Sequence, residues 1–468
     1  MSDIDITTFL RQFQAVSDAA AQLGLDGDSE RPPLDQVLRE HLGVDPRDVP
    51  TVNEMLAPIR QADSDAAVRA LVDESGGGRL LGIGGGDQRW HMSLSDMVQS
   101  FHLRVPVGPV EYTSVQIGPG EERSIVAMGL WLFRAGDDPV AVLVRMQKPQ
   151  YGARAGLEVL APGEGVAQRV LVRIRALMNE LSVLRGKVLS LVAEEFGDTL
   201  GDQPVTFHRR PEVGADRIVL PPGTLDRVER HVLGIGEHRA LLTEHRQHLK
   251  RGVLLYGPPG TGKTLTVHHL IGAAAGTTVI LLSGRTLAYV TLAAQTARAL
   301  EPAIVVLEDC DLVAEERTMD GSSPLLFEVL DALDGLSPDA DVVFLLTTNR
   351  VDVLEPALAQ RPGRVDLAVE IPRPDLSARR ALLDLYAGGL GFSDDALDDV
   401  AATSEHMTAS FMKEVTRRAV LMAADEGVAL SDDHLKHAVE EMMADASAMT
   451  RALLGSSDAD DDWADAEF

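Results

Sequence analysis

Gly252-Val253-Leu254-Leu255-Tyr256-Gly257-Pro258-Pro259-Gly260-Thr261-Gly262-Lys263-Thr264 is the stretch that decides how this chain is read. Its first five residues form a short apolar run of the kind that fills a buried strand. The run passes directly into G-x-x-x-x-G-K-[ST], the phosphate-binding loop in its expected place between a strand and a helix. Glycines allow successive backbone N–H groups to converge on phosphate oxygens, and a helix beginning near Lys263 aims its positive end at the same charge. The expected nucleotide-binding set is therefore Gly257, Pro258, Pro259, Gly260, Thr261, Gly262, Lys263, Thr264 and Leu265. Within it, Lys263 bridges the β- and γ-phosphates and Thr264 offers its hydroxyl to Mg²⁺.

Further along, Ala303 to Leu307 reads as a second buried strand that delivers Glu308 and Asp309 to its C-terminal end. Carboxylates at that end of a doubly wound sheet suit magnesium positioning and activation of water. Two registers are compatible with the residues. In the first, Glu308 contacts the Mg²⁺ shell, largely through water, and Asp309 polarises the attacking water with a side chain one methylene shorter than glutamate. In the second, Asp309 meets the metal and Cys310 stands where the base belongs, which leaves a protein that binds nucleotide and turns it over poorly. The four apolar residues Ile304 to Leu307 before the pair favour the first.

Outside these motifs the sequence sets limits rather than chemistry. At 468 residues the chain exceeds one compact core, which predicts several domains. A formal charge of -29 repels polyanions and argues against nucleic acid as a partner. One cysteine, Cys310, excludes an intrachain disulfide framework; with no signal-like or membrane-spanning apolar run, it predicts a cytoplasmic protein. Residues 1–75 read as a helical region, with Phe9, Phe13 and Val16 at helical spacing and Pro32-Pro33 as a break. Residues 76–205 read as a mixed strand and helix domain: strands between about Val105 and Met146, then a helical stripe from Val170 through Ile174, Leu177, Leu181 and Leu184 to Val188. The cluster Gly82, Gly84, Gly85 and Gly86 is read as a turn, because no lysine follows it. Residues 206–375 form the expected nucleotide domain, 376–455 a helical domain and 456–468 an acidic, solvated tail.

From about Asp216 to Ala444 the chain resembles the AAA family of ATPases. Ile304 to Arg317 is similar to that family's second acidic motif, Leu333-Asp334-Gly335-Leu336 to the stretch after it, and Thr347-Thr348-Asn349-Arg350 to its strand-end polar sensor. Leu354 to Asp366 is similar to the second homology region that marks the family. The Glu308-Asp309 order resembles the subgroup of mitochondrial AAA translocases that assemble respiratory complex III. The resemblance implies an α/β fold, a P-loop NTPase with a doubly wound parallel sheet and a C-terminal helical lid domain, here preceded by a separate mixed α+β region. It also implies ATP and Mg²⁺ as ligands, hydrolysis of ATP, and a homo-oligomer, a hexameric ring.

By that resemblance Asn349 orients the attacking water or contacts the γ-phosphate, and Arg361 and Arg364 reach into a neighbouring subunit's site. Ala359-Gln360 departs from the pattern by lengthening the approach to those arginines. Met407 to Ser410 has no sensor arginine, as in AAA members, with Lys413 one turn further on. Tyr289-Val290 occupies the place of an aromatic pore-loop pair that grips polypeptide, although a packing role for the tyrosine explains it equally well. Leu233-Gly234-Ile235-Gly236 is the positional guess for adenine contact. No H-E-x-x-H motif occurs. Two functions follow as expectations: an ATP-driven remodeller or translocase of protein, or a nucleotide-dependent switch or scaffold with slow turnover.

Overall fold

The computed structural model describes residues 31–99, 105–146, 155–193, 200–311, 335, 337, 339–350 and 365–453. The chain divides into two compact units, Met1–Arg209 and Arg210–Phe468.

The first unit is built on an antiparallel sheet. Its strands are β1 (Thr51–Met55), β2 (Gly78–Ile83), β3 (Val107–Gly108), β4 (Glu111–Gly118), β5 (Glu121–Ala135), β6 (Asp138–Arg145) and β7 (Gly156–Leu160). Their order is β1-β7-β6-β5-β2-β3, with β4 paired to the first half of β5. The long run Ile125 to Leu130 and the facing Val140 to Val144 are fully buried at the sheet centre. Helices α1 (Leu34–Leu42), α2 (Gln61–Glu74) and α3 (Val166–Glu180) supply Leu34, Leu38, Val68, Val72, Val170 and Ile174 to the same core. A hairpin, β8 (Val188–Ala193) with β9 (Leu200–His208), closes the unit.

Two features of this unit differ from the sequence reading. No chain division falls at residue 75: β1 pairs with β7, and α1 and α2 share one core with the strands, so 31–75 is not a helical region apart. Thr51 to Met55 alternates too briefly to announce a strand, and only its antiparallel partner fixes it there. The helical stripe also stops early. α3 ends at Glu180, and Val188 belongs to β8. The break is held by Asp63, fully buried, which accepts hydrogen bonds from Ser182 Oγ and the Val183 N–H, both at 2.8 Å. Arg60 Nε donates to the same carboxylate at 2.5 Å. The glycine cluster is the end of β2 and the turn that follows. Phe9, Phe13, Val16 and the acidic tail lie outside the described residues.

Among the described residues the second unit carries five parallel strands: β10 (Arg251–Tyr256), β11 (Thr278–Ser283), β12 (Ala303–Glu308), β13 (Val342–Thr348) and β14 (Leu367–Glu370). Their spatial order is β14-β10-β13-β12-β11. Such strands are covered on both faces and so read as unbroken apolar runs, as Val342 to Leu346 does. Helices α4 (Lys263–Ala273) and α5 (Val290–Ala299) follow β10 and β11. Beyond β14 come four helices, α6 (Leu376–Ala387), α7 (Asp394–Thr403), α8 (Ala409–Glu426) and α9 (Asp432–Leu453). They enclose a core of their own, with Leu383, Val400, Met412, Val415 and Leu435 buried in it. This is the α/β sheet with helical lid that the motifs imply.

Candidate nucleotide site

The strand order brings three C-terminal strand ends together. β10 lies between β13 and β14, and β13 lies between β10 and β12, so the loops after β10, β12 and β13 open on one edge. In open α/β sheets ligands gather at such an edge, where the connections diverge.

The loop after β10 is fixed from within. Lys263, 6% exposed, donates from Nζ to the carbonyls of Gly257 at 2.8 Å and Pro258 at 2.9 Å, and Thr261 Oγ1 donates to the Pro258 carbonyl at 2.9 Å. Gly257 has φ +146, and a Cβ there would stand 2.2 Å from the Ile371 carbonyl oxygen, so the position admits no side chain. α4 then begins at Lys263 with its free N–H groups facing the loop. Burial pushes the Lys263 ammonium below its ordinary value, against the opposing charges of Asp309 and Asp311. A buried cation beside two carboxylates, on a loop of converging amides, is suited to a polyphosphate.

At the end of β12 the two carboxylates part company. Glu308, the last strand residue, is within hydrogen-bonding reach of the Thr264 hydroxyl, while its Oε1 is buried with no hydrogen-bond partner among the described residues. Burial pushes its carboxyl above the usual range, helped by the Asp309 charge and opposed by His268 and Thr264. Asp309 turns the other way. Its φ of +51 is left-handed; its N–H donates to Thr347 Oγ1 at 3.1 Å, and its Oδ1 accepts from Asn349 Nδ2 at 3.3 Å. Asp311, buried, accepts from Thr348 Oγ1 at 2.9 Å and from the Asn349 N–H at 3.1 Å, which sets the backbone at Asn349. Cys310 is buried, its thiol pushed up to about 12, chiefly by burial.

These residues open on a cleft of about 890 Å³. Pro259 to Thr266, Asp309 and Asn349 line one side, and Ala409, Ser410 and Lys413 of α8 meet them from the lid. Ser410 N–H donates to the Gly260 carbonyl at 3.0 Å, joining lid to loop directly. The far wall is residues 212–214 and 216–220, with Leu382 and Tyr386 of α6. That wall sets apolar side chains such as Ile218, Val219 and Leu382 beside Asp216 and Arg217, a lining that suits a base and ribose. Sequence reasoning missed it, since nothing in Glu212 to Leu220 has a motif's spacing. Leu233 to Gly236, guessed for adenine, does not line the cleft.

Residues for ATP and Mg²⁺ are thus present in a fitting arrangement, with the orphaned Glu308 oxygen and the Thr264 hydroxyl as the groups a cation would satisfy. Arg361, Arg364 and Asp334 lie outside the described residues. Val290, expected as half of a gripping pair, is fully buried at the start of α5 and is a core residue, because the turn Gly284–Tyr289 runs straight into that helix. Tyr289 is half-buried at the end of that turn.

Strand edge, phosphate loop and paired carboxylates together have the layout of a P-loop nucleotide site. Residues 253–373 match the family described as ATPase family associated with various cellular activities (AAA), so the second unit carries an AAA-family ATPase domain, whose ligands are ATP and Mg²⁺. The chain is 34% identical over 212 residues to the ATP-dependent zinc metalloprotease FtsH of Mycobacterium leprae, covering 42% of this chain and 27% of that protein. It is 36% identical over 211 residues to FtsH 2 of Sphaerobacter thermophilus, covering 42% and 32%. With FtsH 3 of the same organism it shares 35% over 220 residues, covering 44% and 45%. The chain therefore spans less than half the length of these relatives. Among the described residues no helix is long and apolar enough to cross a membrane.

Proposed function

We propose that this protein hydrolyses ATP in the cleft and couples turnover to remodelling or translocation of a protein substrate, as a homo-oligomeric, hexameric ring. The observation that carries the reading is the meeting, at one sheet edge, of the Lys263–Thr264 helix start, the Glu308–Asp309 pair and Asn349.

The first register assigns each residue a task. Backbone N–H groups of Gly260 to Thr264 and the Lys263 ammonium hold phosphate oxygens. Thr264 and Glu308 hold the magnesium shell, and the metal, when bound, neutralises charge on the phosphates. Asp309 takes the proton from the attacking water, and Asn349, through its amide at the Asp309 carboxylate, orients that base. Contact of Glu308 with Thr264, and of Asp309 with Asn349, favours this assignment over the register that puts Asp309 on the metal. Arg361 and Arg364 complete a neighbour's site, which makes assembly a condition of turnover. The relatives' names describe ATP-dependent proteases, and the part of them that this chain matches carries the ATPase motifs, so ATP-driven remodelling is what carries over. A lone, buried cysteine suits a reducing compartment, and the reading places the ring in the cytoplasm.

A slow-turnover switch is the second reading, favoured by the burial of Val290, which removes half of the expected gripping pair. Steady-state ATPase measurements on Glu308→Gln and Asp309→Asn test the site. The expected result is nucleotide binding retained in both, turnover down about 100-fold or more in Asp309→Asn, and a raised magnesium requirement in Glu308→Gln. Full activity in Asp309→Asn would overturn the assignment. Tyr289→Ala separates the two functions: a remodeller loses substrate processing and keeps its ATPase, whereas a switch is indifferent.

A further inference from the structure

The cleft wall that the motifs do not explain is fastened to the phosphate-loop helix by a histidine that the nucleotide chemistry does not use. His269 lies on α4, 6% exposed. Its Nδ1 is 2.7 Å from the Val213 carbonyl oxygen, and its Nε2 is 2.6 Å from Glu229 Oε1. Both partners accept hydrogen bonds. A neutral imidazole has one N–H and so satisfies only one of them, whereas an imidazolium donates to both. Burial alone pushes the ring's pKa down, but the Glu229 carboxylate and the Val213 carbonyl outweigh it and raise it above the ordinary value.

Two further contacts tie the same segment to α4. Arg210 donates to the carbonyls of Ile271 at 2.6 Å, Ala274 at 2.9 Å and Thr277 at 2.7 Å, which gathers the open end of the helix. At Gly272 a Cβ would lie 2.6 Å from the Pro211 carbonyl oxygen, so the backbones touch there. Residues 210–213 therefore run as a strap across α4 and continue into the wall at 212–220. Arg210 keeps its charge throughout the accessible pH range, which leaves His269 as the strap's titrating fastener.

We propose that His269 is a positioning residue for the nucleotide: as an imidazolium it clamps Val213 and Glu229 to the phosphate-loop helix and so holds the base-side wall of the cleft in register with the phosphate site. This rests on the reading of the cleft as an ATP site. The clamp is complete when the ring is protonated and is lost as pH rises through its raised pKa. The charged or titratable groups on the packed elements are Asp226, Arg227 and Glu229 on the short helix Thr224–Glu229, Arg230 and His231 on the turn after it, Arg210 and Glu212 on the strap, Asp216 on the wall beyond it, and Lys263 and His268 on α4. Of these, Glu229 acts on the ring. His268 faces Glu308 instead.

The test compares binding of ATP and of inorganic tripolyphosphate, with Mg²⁺, by calorimetry between pH 7 and pH 9 on the full chain. Wild type should bind ATP about tenfold more weakly at the upper end, the scale of one charge-assisted hydrogen bond, while tripolyphosphate, which needs no base-side wall, changes much less. In His269→Gln, ATP affinity should be low and flat across the range, with tripolyphosphate bound as in wild type. Glu229→Gln, at a partly exposed position, should shift the loss of ATP affinity to lower pH. If His269→Gln keeps the wild-type ATP affinity and pH profile, or if ATP and tripolyphosphate weaken equally, the inference fails. If wild type binds neither ligand, the ATP reading itself fails.

Discussion

Asp309 holds a backbone conformation that costs an L-residue about 1 kcal/mol, and asparagine and aspartate bear it best. The turn points its carboxylate toward Asn349 while the preceding Glu308 faces Thr264, so adjacent acids serve opposite sides of the site. Replacing Asp309 with glycine should relieve that strain and keep the N–H to Thr347 bond. We expect a gain of about 0.5–1 kcal/mol in urea denaturation together with loss of ATP turnover, a trade between stability and chemistry at a single position. Lys263→Ala should act differently: it takes the Nζ donor from the Gly257 carbonyl, leaves the Pro258 carbonyl with the Thr261 hydroxyl, and removes the phosphate cation. Nucleotide affinity, read by fluorescence titration, should fall about 100-fold or more.

At the scale of elements, the phosphate loop is seated by its neighbour on β14's side of the sheet. Ile371, just beyond β14, donates its N–H to the Tyr256 carbonyl at 2.7 Å and lays its own carbonyl against Gly257. Gly257→Ala should therefore lower stability by about 1–3 kcal/mol in thermal or urea unfolding, through backbone displacement rather than lost chemistry. Two of the parallel strands, β10 and β12, and the helical lid were legible in the sequence because each has a pattern of its own. Ala303 to Leu307 is continuous and apolar, and residues 410–424 repeat at helical spacing. β1 and the end of α3 were not legible. The first depends on a partner strand a hundred residues away, and the second on a buried carboxylate that caps a loop from another helix. The same reasoning separates the site's two halves: spacing marks the phosphate side, whereas the base-side wall is a segment defined by what it packs against.

For the whole molecule, the proposed turnover depends on copies of the chain acting together. If Arg361 and Arg364 serve a neighbour, a subunit carrying Arg361→Ala and Arg364→Ala should bind ATP but not turn it over. Mixing it with Asp309→Asn subunits should recover part of the ATPase, because some interfaces then pair an intact base with intact arginines. No recovery at any mixing ratio would place the arginines in their own subunit's site. A net charge of -29 on every copy also opposes assembly. Ring formation, followed by light scattering, should strengthen as salt is raised from low ionic strength, until screening of the attractive contacts takes over.

One short linkage has mechanical meaning. The peptide at Gly260 gives its carbonyl to the first turn of an 18-residue helix, through the Ser410 amide. A tilt of that single peptide plane is passed to a rod about 27 Å long at the usual rise per residue. On the ATP reading, a change at the phosphates would be geared to the outer end of the lid, with one peptide plane as the fulcrum.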